Sequence, residues 1–394
     1  MDGGLIEDIS HNPDPIAELI ENYNELNSSV IEELTEEPSP LEFMRYVATN
    51  TPFVVRGAAK DWKATKEWNV DFLKDFLKHE TVNVAVTPHG NADAPTPHPT
   101  PSSPLVFAQP HEEDQPFPVF LDYLTTQSSL PAGGEPIGEV RYAQTQNDNL
   151  RHEYLRLFSH CLPSIPFARI ALDRDADAIN LWIGNQHSTT ALHKDNYENI
   201  YVQIRGRKHF VLLPPICHPC VNERLLPSAV YSRKTTSPTE AANKEELASS
   251  PEADGSTSSP SYLELKVSEQ KVPFPTWDPD HPFQNETEYS CLACPVRASL
   301  NPGDMLYLPA LWYHKVAQSV DNEGVCVAVN YWYDMDFTGP LYPLSTFVRS
   351  VYKKELRGEE EEKEEEKEEE EGEEKEAVNE QDLVDNAEQH QRLT

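Results

Sequence analysis

Thr189-Thr190-Ala191-Leu192-His193-Lys194-Asp195 is the stretch on which the fold of this chain is decided. On an extended strand, residues two apart point to the same face, so His193 and Asp195 reach toward one point. A His-x-Asp triplet is common by chance and alone marks nothing. It gains meaning from a second stretch, Asn301-Pro302-Gly303-Asp304-Met305-Leu306-Tyr307-Leu308-Pro309-Ala310-Leu311-Trp312-Tyr313-His314. There Gly303-Asp304 makes a turn, an apolar strand follows, and Pro309 to Trp312 ends it just before a histidine. Two imidazoles and one carboxylate on one face of an octahedral ion leave three positions open. That donor set suits a non-haem Fe(II) that must take a chelating cosubstrate and O2 together. His193, Asp195 and His314 are therefore the candidate metal ligands.

Outward from these stretches the pattern is one of short strands. Residues 141–144, 179–184, 200–204 and 209–213, then Val296–Leu300, Met305–Leu308 and 325–332, are β-branched or aromatic and punctuated by turns. Gly206 sits in the link between the third and fourth. Many short strands at this spacing predict an antiparallel jelly roll, mainly β with flanking helices. The N-terminal side is helical. Asp14-Pro15 reads as an N-cap with proline at the first helical position, followed by Ile16, Leu19, Ile20 and Tyr23 at helical spacing. Ser39-Pro40-Leu41-Glu42 is a capping box, with Phe43, Met44 and Val47 as the face to be buried. Pro52-Phe53-Val54-Val55-Arg56-Gly57 predicts a buried strand ending in a turn, 69–78 a helix, and Val82, Val84 and Val86 a strand.

Residues 89–116 and 234–261 are rich in Pro, Ser, Thr and acidic residues and read as flexible inserts outside the core. The division expected is a helical region over 1–50, a catalytic domain over 51–353 and a charged low-complexity tail over 354–394.

The chain of 394 residues is 38% hydrophobic, enough for a sizeable core, yet 34 prolines and a formal charge of -35 indicate much sequence outside it. Residues 359–376 hold fourteen Glu and three Lys, and the rest of the chain still carries -24. That balance excludes nucleic acid as the main partner, because phosphate binding needs a positive surface. A basic protein or peptide suits it better. No apolar run has the roughly 18–20 residues of a membrane span. The acidic N-terminus lacks the pattern of a secretory signal, so the expected location is cytoplasmic, with the nucleus also open. Six cysteines are too sparse for a disulfide scaffold.

The His-x-Asp…His layout, the Gly-Asp-x4-Pro-x2-Trp-x-His run and the stretch Lys208-His209-Phe210-Val211-Leu212-Leu213-Pro214-Pro215 resemble the JmjC hydroxylases of the cupin superfamily. Within it, residues 180–184, 192–199, 303–314 and Val329-Asn330-Tyr331-Trp332-Tyr333-Asp334 look like the subfamily of bifunctional peptidases and (3S)-lysyl hydroxylases. The resemblance covers roughly residues 40–350 apart from the two inserts. It implies a double-stranded β-helix, Fe(II) as cofactor, and 2-oxoglutarate and O2 as cosubstrates. It also implies that Lys208 pairs with the distal carboxylate of 2-oxoglutarate, with Thr190 and Tyr142 donating to the same group. Asn199 and Asn330 resemble amides that line the pocket. No catalytic residue beyond the metal ligands is implied, since the metal centre carries the difficult step.

The reaction so implied is hydroxylation at C3 of a lysyl residue in a developmentally regulated GTP-binding protein, by a chain that can form a homodimer. Glu198 and Asp173 are candidate partners for the substrate ammonium, although each reads first as an ordinary surface carboxylate. Two rival functions remain. One is a metal-dependent endopeptidase acting on basic protein tails, against which stands the lack of a His-Glu-x-x-His helix. The other is a catalytically silent JmjC scaffold, against which stands the intact ligand set. Cys217-His218-Pro219-Cys220 and Cys291-Leu292-Ala293-Cys294 have zinc-ligand spacing. We read them as ordinary thiols, because an insert separates the pairs. Trp62, Trp68 and Trp182 are expected in the core, and the Glu-rich tail is expected to be a solvated segment.

Overall fold

The computed structural model describes residues 14–100, 103–129, 138–235, 261–354 and 356. The chain divides into one compact unit through Asp336 and a second from Phe337. The second unit is helical over 341–354. The acidic run 359–376 and most of the second insert lie outside the described residues.

The strands of the first unit, in chain order, are β1 Glu32–Leu34, β2 Phe53–Val55, β3 Thr81–Thr87, β4 Ala94–Thr100, β5 Ser103–Gln109, β6 His111–Pro116, β7 Val140–Tyr142, β8 Ala178–Gly184, β9 Thr190–Lys194, β10 Tyr197–Arg205, β11 Arg207–Leu213, β12 Glu223–Thr235, β13 Ser261–Pro275, β14 Val296–Leu300, β15 Met305–Leu308, β16 Tyr313–Ser319 and β17 Cys326–Asp334. Two of the sheets make the jelly roll. One has six strands in the order β1-β2-β15-β10-β17-β8, and the other has four in the order β14-β11-β16-β9. All pairings are antiparallel except β1 with β2.

The two-residue period of the strands decides where the core sits. Ile200, Val202 and Ile204 of β10, with Val327, Val329, Tyr331 and Tyr333 of β17, pack against helical residues Phe43, Phe117, Phe120 and Phe167. The alternate residues Tyr201 and Ala328, with Trp182 of β8, join Phe210, Leu212 and Val316 of the other sheet in a second cluster. The space between the sheets is thus the inside of the roll. The link between β10 and β11 is Gly206 at φ 66. A Cβ there would stand 2.6 Å from the carbonyl oxygen of Ser319, so glycine is required.

The expected helix caps are present. Asp14 accepts from the amides of Ile16 and Ala17 at the start of Pro15–Leu26. The Ser39–Glu42 box closes in both directions on Pro40–Thr49. Phe43 is fully buried, but Met44 is 51% exposed, so the buried stripe of that helix is narrower than its apolar residues suggest. A larger difference concerns 89–116. That segment carries β4, β5 and β6 rather than a loop. β4 and β5 complete a four-stranded sheet in the order β13-β12-β5-β4, and β6 pairs with β3. The cause lies in β4, where Pro95 and Pro97 share one parity on an edge strand, a position where missing amides cost no ladder bond. The second insert follows a similar logic: β12 continues to Thr235 and pairs with β13 from Ser261, so its ends are strand rather than loop.

Candidate metal centre

β9 and β16 are neighbours, and their register sets His193 directly opposite His314. The two rings lie 4.1 Å apart, centroid to centroid. Asp195 stands just beyond the end of β9, where its carbonyl accepts from Leu311 N at 2.8 Å and ties it to the loop before His314. Its Oδ2 is 3.7 Å from Nε2 of His193 and 3.7 Å from Nε2 of His314. Cis ligands about 2.1 Å from an octahedral ion stand about 3 Å apart, so a small contraction closes the array. Among the described residues this is the only group of three His, Cys, Asp or Glu ligand atoms within 4.8 Å of one another. The two CxxC pairs therefore do not form a second such group.

The imidazole tautomers suit metal binding. Nδ1 of His193 lies 2.8 Å from Ala191 O, and Nδ1 of His314 lies 3.0 Å from Trp312 O. Each Nδ1–H donates to a carbonyl two residues back, which leaves the Nε2 lone pairs facing Asp195. Burial holds the His314 imidazole down at about 4, so it is neutral, the form that coordinates a metal. His314 is buried, whereas His193 and Asp195 are partly exposed, so the centre opens on their side. The donor set, the tautomers and the open side fit a hard or borderline divalent ion.

Lys208 lies deeper in the roll. It is 2% exposed and donates to Tyr142 OH at 2.8 Å. Among the described residues it forms no ion pair. Asn330 Nδ2 donates to Asn199 Oδ1 at 3.1 Å, and Trp182 Nε1 donates to Asn330 Oδ1 at 2.9 Å. One pocket is lined by His193, Asp195 and His314 together with Thr190, Tyr142, Lys208, Asn199 and Asn330. All eight candidate positions thus share a single cavity. Trp182 is buried as expected, but it also faces this cavity, and so do Gln146, Tyr201 and Trp332. The signal that could have found Trp182 and Trp332 is parity: Trp332 lies two residues from Asn330 on β17, and β8 pairs Trp182 with Ala328, two residues from Asn330 on the other side.

Several relatives match most of the chain. The JmjC domain-containing protein E of Dictyostelium discoideum is 31% identical over 370 residues, 87% of this chain and 98% of its own length. The human bifunctional peptidase and (3S)-lysyl hydroxylase JMJD7 is 33% identical over 309 residues, 77% of this chain and 84% of its own. The lysine-specific demethylase JMJ32 of Arabidopsis thaliana is 36% identical over 310 residues, 78% of this chain and 82% of its own. The model of the cupin-like domain matches residues 38–339. The chain belongs to the cupin-like JmjC family. The jelly roll expected from the strand pattern and the cupin fold implied by the resemblance are thus established along with the family.

The two carboxylates considered for a substrate ammonium are placed elsewhere in this JmjC protein. Glu198 is buried and accepts from Tyr307 OH at 2.6 Å and Ala310 N at 3.2 Å. It fixes the loop that leads to His314. Asp173 is the left-handed cap of helix Pro166–Leu172. Neither lines the metal pocket. No described helix is long and apolar enough to cross a membrane.

Proposed function

We propose that the chain is an Fe(II)- and 2-oxoglutarate-dependent protein hydroxylase acting on a lysyl residue, with developmentally regulated GTP-binding proteins as its target class. The observation that carries this reading is Lys208. A buried ammonium without a carboxylate is costly, and this one stands in the same pocket as a two-histidine, one-carboxylate array. A dianionic cosubstrate that chelates the metal and presents its far carboxylate to Lys208 satisfies both ends at once.

In this reading His193, Asp195 and His314 hold Fe(II). When bound, Fe(II) with 2-oxoglutarate and O2 supplies the oxidation: one oxygen atom enters a substrate C–H bond as hydroxyl, and the other enters succinate, released with CO2. Lys208, Tyr142 and Thr190 orient the distal carboxylate. Asn199 and Asn330 hold the wall of the pocket, with Trp182 fixing the amide of Asn330. Trp182, Phe210, Val316 and Trp332 give the pocket an apolar wall that limits water at the reacting centre. No side chain is asked to act as a general base.

The test is mass spectrometry of a candidate GTP-binding protein incubated with the chain, Fe(II), ascorbate and 2-oxoglutarate. The expected result is a lysine heavier by one oxygen atom. A methyl-lysine that loses its methyl group instead would select the demethylase chemistry named for the Arabidopsis relative. Cleavage that persists without iron or 2-oxoglutarate would overturn the hydroxylase reading in favour of a peptidase. Absence of any 2-oxoglutarate turnover would leave a silent scaffold. The reading further places the chain in the cytoplasm or nucleus, which its six unpaired thiols support. It includes a homodimer, supported by Leu344 and Phe347 exposed on the helical segment of the second unit. Light scattering at micromolar concentration checks that point.

A further inference from the structure

We propose that Asp93, in a turn held against the segments that carry the pocket residues Thr190, Tyr142 and Gln146, is the carboxylate that receives the cationic end of the substrate side chain. This rests on the lysyl reading above and adds the residue that recognises the lysine.

Asp93 lies in the turn between β3 and β4, and that turn is clamped between two segments that line the pocket. On one side Gly90 O accepts from Thr189 N at 2.9 Å, one residue before Thr190. Gly90 N in turn donates to Thr87 Oγ1 at 2.8 Å. The approach of the two backbones is so close that a Cβ on Gly90 would fall 1.9 Å from His187 O. On the other side Gln144 Nε2 donates to Asp93 Oδ2 at 3.1 Å. Gln144 stands midway between Tyr142 and Gln146, both of which line the pocket. Asp93 itself adopts a left-handed backbone at φ 52, a conformation that aspartate tolerates better than most residues.

The charge accounting around Asp93 is incomplete without a ligand. Its carboxyl is half-buried, and burial holds it above the usual carboxylate range, against the hydrogen bond from Gln144. Glu112 adds a further negative field. Among the described residues no Lys, Arg or His lies within 4.0 Å of it. One carboxylate oxygen has its amide donor, and a desolvated anion of this kind calls for a cation. In a lysyl side chain the ammonium stands four bonds beyond Cβ. A carboxylate set to the side of the metal can therefore hold the ammonium while the aliphatic carbons cross the open face of the centre. Glu198 cannot do this, because both of its contacts are internal.

The experiment follows succinate release by the full chain with Fe(II) and 2-oxoglutarate. The probes are lysine-centred peptides with randomised flanks, and the same peptides with norleucine or trimethyl-lysine at the centre. The wild type is expected to prefer the cationic centres. Asp93→Asn should lose that preference by about 30-fold in kcat/KM, mostly through KM. Asp93→Glu should restore part of it. Preference for trimethyl-lysine over lysine would identify a methylated ammonium as the cation. The anaerobic charge-transfer band of the Fe(II)–2-oxoglutarate complex, kept in Asp93→Asn, separates recognition from folding. An unchanged preference in Asp93→Asn, or equal use of lysine and norleucine by the wild type, overturns the assignment while leaving the hydroxylase reading intact. A wild type with no band and no succinate release defeats both.

Discussion

The two faces of the six-stranded sheet are built from alternating residues of the same strands, yet only the inner one carries the polar groups of the candidate site. Along β17, Val327, Val329, Tyr331 and Tyr333 turn toward the helices, while Ala328, Asn330 and Trp332 turn into the roll. The helix side is apolar and packed, so its contribution is stability. The inner side also packs apolar side chains, but it alone holds the amides, the indole and the approach to Lys208 that make up the candidate site. A one-residue slip in register would exchange the two. The comparison teaches that the polar groups of the candidate site are confined to one parity, even between adjacent residues of one strand.

The sharpest way to test that separation is on the inner side. His193→Ala or Asp195→Ala should bring 2-oxoglutarate turnover below detection while folding stability moves by no more than about 1 kcal/mol, because both positions are partly exposed. Parallel turnover assays and thermal melts check this, and a large loss of stability would break the comparison. On the helix side, Tyr331→Ala should cost about 3–5 kcal/mol, since the ring is fully buried and its hydroxyl donates to Leu162 O at 2.6 Å. The folded fraction should keep its affinity for Fe(II), as measured by metal titration against urea-denaturation curves.

Lys208→Met is intermediate. It should raise the half-saturating concentration of 2-oxoglutarate by about 30-fold or more and leave stability equal or improved, because it removes a buried charge. Steady-state kinetics with a melt decide the point. The smallest effect is expected for Asn330→Ala. It strands the indole N–H of Trp182 and the amide of Asn199, at a cost of about 1–3 kcal/mol. Turnover should drop by about tenfold as the pocket wall loosens. An Asn330→Ala protein with wild-type kinetics would show that the inner amides are structural only.

Much of this arrangement is legible in the sequence, and the reasons differ by element. The helix starts at Pro15 and Pro40 are readable because capping is local chemistry, complete within four residues. His193, Asp195 and His314 are readable as a set because their spacing and turn residues occur together, and the structure brings them to one point. β4 is not readable in this way. Proline signals a loop unless one knows that the strand lies at an edge, and edge position is a property of the assembled sheet. Glu198 is misleading for a related reason. Its two hydrogen-bond donors, Tyr307 and Ala310, are over a hundred residues away in the chain. The cavity-facing role of Trp182 also depends on a distant partner, Asn330.

Both candidate ligand histidines brace their rings on a carbonyl two residues back, Ala191 O and Trp312 O. Their aim is therefore set by short-range backbone geometry and needs neither substrate nor ion to be established. A centre of this kind is a preformed chelator with little reorganisation to resist a competitor. First-row ions of similar radius bind such nitrogen and oxygen donors at least as tightly as ferrous iron. Occupancy in the cell is then governed by which metal is supplied, and exposure to surplus cobalt, nickel or zinc becomes a route to poisoning the protein without touching its fold.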